Sequence, residues 1–170
     1  MERHNFGRVI TMSPPIIHDF ESFSGKTAYF MSKLGMTMVA LGAAAEGQGK
    51  NITGNSLWPA TVIESLASIN FQLGDRSTWR KASILADCVV SIASEPESFT
   101  GNMLIDDTYL RSKGMSEEEL REYNCDPDAE PPRILAMDGQ ETWVGEDFKR
   151  GDIRQLDQDL ERSTNPTSKL

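Results

Sequence analysis

Apolar positions recur at helical spacing from about Lys26 to Glu46: Ala28, Met31, Leu34, Met38, Leu41 and Ala45. That period predicts one long helix, stopped by Gly47-Gln48-Gly49. Within it, Ala40, Gly42, Ala43 and Ala44 allow close packing, Gly35 and Gly42 point to a close contact, and the methionines read as core filler. Ahead of the helix, Gly7 to Ser13 is a short β-branched run halted by Pro14-Pro15. It predicts a buried strand with Ser13 at its carboxyl end. Ile16 to Gly25 reads as a loop or short helix. Ile52 to Trp58 is a second strand, stopped by Pro59, and Leu66 to Phe71 a short helix. Asp75-Arg76-Ser77 opens a further helix to about Ala93, packing through Trp79, Ala82, Ile84, Leu85, Val89 and Ile92 and closed by Pro96. Ser98 to Asp106 is a third strand. Strand–helix–strand–helix–strand predicts a parallel α/β architecture.

Beyond Asp107 the pattern changes. Ser116-x-x-Glu119 is a capping box for a helix to about Tyr123. Asp126 to Pro132 is an acidic, proline-rich loop. Arg133 to Trp143 predicts a strand or hairpin around Asp138-Gly139, and from Gly145 the chain is polar and expected to be poorly ordered.

Charge sharpens this division. The net charge of −9 is uneven: Glu117 to Glu161 holds 15 acids against 5 bases, and the remainder 11 against 12. No basic patch points to nucleic acid. The uncharged runs Leu34 to Ala45 and Asn51 to Ile63 fall short of the ~20 residues a membrane helix needs, so no membrane span is expected. Cys88 and Cys125, with no C-x-x-C, suit a reducing compartment. Two histidines make no metal set, and His18 is given no role. Met1 to Asn5 leads into no apolar signal segment.

The candidate chemistry lies at the start of the long helix. Tyr29 and Lys33 are four residues apart, so both leave one face of the helix a turn apart. A phenol is a poor acid or base at neutral pH, and a nearby ammonium favours its phenolate. A tyrosine so tuned can exchange a proton with an alcohol oxygen while a hydride moves on the adjacent carbon. Ser13, at a strand's carboxyl end where ligands of open α/β sheets bind, is a candidate donor to a substrate carbonyl. An ordinary turn residue before proline is the alternative.

Four features follow in order: Ser13 after a strand, Ala28-Tyr29-x-x-Ser32-Lys33, Asn55-x-x-Trp58-Pro59, and Phe99-Thr100-Gly101-Asn102. Jointly they resemble the second half of a short-chain dehydrogenase/reductase, over about Gly7 to Leu110. Ser13-Pro14-Pro15, Leu57-Trp58-Pro59 and Ser98 to Asn102 mark one branch within that superfamily. The resemblance implies a partial, Rossmann-like doubly wound domain over residues 1–110 and an acidic, partly disordered extension over 111–170. It implies Tyr29 as proton donor or acceptor, with Lys33 tuning it and holding the nicotinamide ribose. It also implies Pro59 and Ile63 at the nicotinamide end of an NAD or NADP cofactor, and Ser13 polarising the substrate oxygen. A small-molecule hydroxyl or carbonyl substrate, lipid-related, follows, with a homo-oligomer left open. The chain departs from the family pattern at three points. Ser13 lies 16 residues before Tyr29, longer than usual, Pro14 stands where a second serine often does, and Ala60 replaces a common glycine.

No G-x-x-x-G-x-G or G-x-G-x-x-G occurs in the 170 residues. Backbone amides of such a turn bind the pyrophosphate. The 170-residue chain is therefore expected not to bind NAD(P)H tightly, with catalysis reserved to a full-length form. A non-catalytic remnant that acts through packing or binding is the alternative. The chain ends in Ser168-Lys169-Leu170, a receptor-read peroxisomal address, so a peroxisomal import receptor is an expected partner.

Overall fold

The computed structural model describes residues 1–16, Phe23 and residues 26–133. Two compact units divide them: Met1–Ala60 with Ser83–Glu117, and Thr61–Ala82 with Glu118 onward. His18, most of the loop or short helix expected over Ile16 to Gly25, and the expected elements from residue 134 on lie outside the described residues.

The first unit is built on a parallel sheet. Strand β1 (Gly7–Met12) leads through helix α1 (Thr27–Glu46) to β2 (Ile52–Trp58). Helix α3 (Ser83–Ala93) leads to β5 (Met103–Ile105) and directly into α4 (Asp106–Ser112). The sheet order is β1-β2-β5, with Gly7 opposite Ile52 and Trp58 opposite Ile105, all pairs parallel. The α/β parallel class is as expected from the element order.

The face that α1 buries is not the expected one. Phe30, Thr37, Ala40 and Ala44 are buried, while Met31 is 71% and Met38 65% exposed, and Ala28 and Ala45 face outward. The helix is apolar nearly all round, so periodicity could not choose a side. The choice is made by packing on β2, where small residues let the backbones meet. A Cβ built on Gly54 would stand 2.0 Å from the Ala40 carbonyl oxygen and 2.7 Å from the Ala44 nitrogen. The close contact therefore sits at Gly54, whereas nothing lies within 4 Å of a Cβ built on Gly35 or Gly42. Helix α1 alone, among the described helices, is long and apolar enough to cross a membrane. Its inner face is committed to the sheet.

Helix α3 buries Ile84, Cys88 and Ile92, an i, i+4, i+8 stripe. Burial pushes the Cys88 thiol well above its ordinary range. A polar pin joins α3 to α4: the Tyr109 hydroxyl lies 2.8 Å from that of Ser91 and donates to Glu95 at 3.0 Å. Lys113 pairs with the same carboxylate and holds it below the usual carboxylate range.

In the second unit, β3 (Val62–Ile63) pairs in parallel with β4 (Trp79–Arg80), and α2 (Leu66–Asn70) is capped by Ser65. The single helix expected from Asp75 to Ala93 does not form. Asp75 does cap, accepting from the Ser77 amide at 2.9 Å, but only a 3-10 turn, Arg76–Thr78, follows. Trp79 and Arg80 are then drawn into a ladder, and the Lys81 amide donates to the Tyr123 carbonyl at 2.7 Å. Long-range pairing overrides local propensity here. The third strand is likewise shorter than expected: residues 98–102 form a turn and only Met103–Ile105 pair. Helix α5 (Glu117–Arg121) forms where a short helix to about Tyr123 was expected.

Gly54→Ala is expected to destabilise the chain by about 1–3 kcal/mol or more, as overpacking against rigid backbone. Gly35→Ala, in open space on helix α1, should instead stabilise it by about 0.5–1 kcal/mol. Denaturant titration of the two variants checks both signs.

Candidate active site

Helix α1 presents Tyr29, Lys33 and Thr37 at successive turns. Each is placed by something different. Tyr29 is 43% exposed, packed edge-on to Phe30 with ring centroids 5.6 Å apart. Phe30, on the buried side, meets Phe23 at 5.4 Å, which anchors the helix start. Lys33 is half-buried, and its Nζ donates to the Met12 carbonyl at 3.1 Å. It lies 5.9 Å from the centre of the Tyr29 ring and 5.5 Å from that of Trp58. Thr37 is fully buried and donates to the Pro14 carbonyl at 2.6 Å.

These bonds fasten one face of α1 to the carboxyl end of β1. Beyond Met12 the prolines cannot donate. The carbonyls of Met12 and Pro14 instead accept from Lys33 and Thr37, so the turn is satisfied by helix side chains. Ser13 sits between those carbonyls and is fully buried. Its amide donates to the Leu57 carbonyl at 3.0 Å, and its hydroxyl lies 2.9 Å from that of Thr11. A substrate oxygen at Ser13 would share a hydroxyl that already has a partner.

Tyr29, Lys33 and Trp58 are thus brought together at the ends of β1 and β2, with Ser13 next in chain to the carbonyl that holds Lys33. Pro59 follows Trp58 directly. Ile63 belongs to the second unit, where it pairs with Arg80 in the β3–β4 ladder.

Sequence reasoning gave no role to Thr37, Trp58 or Asn55. Thr37 had a readable signal, since it extends the Tyr29–Lys33 series by one turn. Asn55 is fully buried on β2, and its Oδ1 accepts from the Asn102 amide at 3.0 Å and the Asn102 side chain at 2.9 Å. Its Nδ2 donates to the Phe99 carbonyl at 3.0 Å. Thr100 accepts from the Gly54 amide at 3.0 Å, and Gly101, at φ +75°, donates to the Gly54 carbonyl at 2.7 Å. Two of the short motifs therefore bind each other. They lock the turn before β5 onto β2, a structural task rather than a chemical one.

Comparison with known proteins gives this geometry a lineage. The chain is 35% identical over 121 residues to hydroxysteroid dehydrogenase-like protein 2 of Rattus norvegicus, and 36% identical over 116 residues to that of Homo sapiens. These alignments take 71% and 68% of this chain but only 23% and 28% of the relatives, so the chain spans about a quarter of their length. Among solved structures, a short-chain dehydrogenase from Mycobacterium thermoresistibile matches with a TM-score of 0.65 at 30% identity. That match covers 84% of this chain and 50% of the other. A second chain, from Xanthomonas campestris, matches with a TM-score of 0.68 at 31% identity, covering 75% and 47%. No family model matches the chain. By sequence and by fold, the chain is related to part of the short-chain dehydrogenase/reductases, an oxidoreductase family that uses a nicotinamide cofactor.

Thr37→Val keeps the shape but leaves the Pro14 carbonyl without its donor, at a cost of about 1–3 kcal/mol. Thermal unfolding should show the loss, whereas Thr37→Ser should stay close to the parent. Equal stability of the parent and the valine variant would refute the fastening role.

Proposed function

We propose that this chain, akin to the short-chain dehydrogenase/reductases, supplies the proton-transfer part of an NAD(P)-dependent oxidoreductase acting on a lipid-related hydroxyl or carbonyl compound. The observation that carries the reading is Lys33, held by the Met12 carbonyl between the rings of Tyr29 and Trp58 while Tyr29 stays partly exposed. In the reducing direction Tyr29 gives its hydroxyl proton to the substrate oxygen as hydride arrives at the carbon. In the oxidising direction it takes that proton back. The dinucleotide, when bound, supplies or accepts the hydride.

Lys33 has the donors for its part. An ammonium carries three, and one is spent on Met12. The others are free in direction to meet a ribose hydroxyl, and the charge stands beside the phenol. Ser13 would polarise the substrate oxygen, and Pro59 would meet the nicotinamide. The pyrophosphate needs a glycine-rich turn, so the activity is assigned to a full-length form that carries one.

In that form, Tyr29→Phe should lower kcat by on the order of 10²-fold or more. Lys33→Ala should raise the cofactor KM as well as lower kcat. Near-normal turnover by Tyr29→Phe would show the assignment to be wrong.

The address is argued separately. Ser168-Lys169-Leu170 fits the tripeptide read by the peroxisomal import receptor. We therefore assign the protein to the peroxisome, an address that does not depend on catalysis. A fluorescent protein fused to the N-terminus should give peroxisomal puncta, and deletion of Leu170 should disperse them. Diffuse signal from both would refute the address.

A further inference from the structure

The chain leaves β2 at a proline, and something other than the ladder has to hold it there. Pro59 carries no amide hydrogen, so the parallel pairing that runs through Trp58 and Ile105 cannot continue in the ordinary way. The first donor beyond it is the Ala60 amide. That amide donates to Asp106 Oδ1 at 2.8 Å, and the same oxygen accepts from the Asp107 amide at 2.7 Å. Asp106 is fully buried, as is Ala60. It follows Ile105 directly, so the carboxylate stands one residue past the last ladder pair. A side chain there takes up the strand's first free amide after the proline.

A buried carboxylate is costly unless it is hydrogen-bonded, and the two backbone amides on Oδ1 are strong partners for it. Its position links two ends of the site. The turn it grips, Pro59-Ala60, follows Trp58, whose ring lies 5.5 Å from Lys33 Nζ. The tether is the hydrogen bond that meets the backbone as the chain leaves the sheet at Pro59.

We propose that Asp106 is a positioning residue of the site: its buried carboxylate fixes the Pro59–Ala60 turn beside Trp58 and Lys33, and with it the surface offered to the nicotinamide. The identity of the ligand rests on the function proposed above. The tether itself does not, which separates the two tests.

Amide exchange of Ala60, read by NMR on the 170-residue chain, tests the tether. In Asp106→Ala the protection factor should fall by on the order of 10-fold or more, the equivalent of one charge-assisted hydrogen bond. In Asp106→Asn it should be largely kept, because the amide oxygen can accept in the same place. Unchanged protection in Asp106→Ala, or lost protection in Asp106→Asn, would overturn the tether. Should Asp106→Ala not fold, the asparagine variant decides alone. In the full-length form, Asp106→Ala should raise the KM for NAD(P)H by on the order of 10-fold. Its kcat should change much less, and Asp106→Asn should restore the KM. A merely structural role would lower the active fraction and leave KM unmoved, which would overturn the positioning role. Absence of NAD(P)H turnover in the unmutated full-length form would sink the proposed function, and the exchange result would still decide the tether.

Discussion

The approach of α1 to β2 at Gly54 governs the rest of the first unit. A helix normally stands off a sheet by the length of two layers of side chains. Here Gly54 has no side chain and Ala40 and Ala44 have the smallest ones, so backbone meets backbone. That low seat brings Lys33 and Thr37 within hydrogen-bond reach of the turn after β1, at 3.1 Å and 2.6 Å. A helix raised by a methyl group would lengthen the Thr37 bond to Pro14 first, because a threonine side chain has no reach to follow. The packing constraint and the candidate chemistry are therefore one arrangement, read at two points along the same helix.

The element order and the Tyr29–Lys33 pair were legible because both rest on short-range signals. Proline stops β1 and β2, glycine stops α1, and the four-residue spacing survives any placement of the helix. The buried face of α1 was not legible, because methionine, valine, leucine and alanine surround the helix and no polar stripe marks the outside. The buried polar residue Thr37 runs against the usual rule, and its hydrogen bonds to the Pro14 carbonyl and, at 3.4 Å, the Lys33 carbonyl explain it. The β3–β4 ladder was missed for a different reason: two residues on each side carry no periodicity to detect. Asp75 gave a true capping signal, but a cap states where a turn begins and not how far it continues.

Polar residues in the core divide into two kinds. Asn55 and its partners in residues 99–102 satisfy one another and hold strands together. Lys33 keeps one bond to the scaffold and has donors to spare. A short motif read in sequence does not tell these apart, since both appear as a polar residue near a strand end. The distinction rests on counting hydrogen-bond capacity against bonds made. By that count Asn55 is committed to the fold, and Ser13 shares its hydroxyl with Thr11.

The contacts that hold Lys33 lie between Gly7 and Trp58. Strand β1 supplies the accepting carbonyl, α1 the two side chains, β2 the seat at Gly54 and the Trp58 ring. None of these depends on a dinucleotide or on the turn that would bind its pyrophosphate. In the proposed reading, proton transfer and pyrophosphate binding would be built by different parts of the architecture, with Lys33 serving both the tyrosine and the ribose. The proton-transfer geometry can be preformed in the β1–α1–β2 unit, so binding energy from a cofactor need not be spent on assembling it. The cofactor would then supply or accept the hydride beside a tyrosine that is already in position.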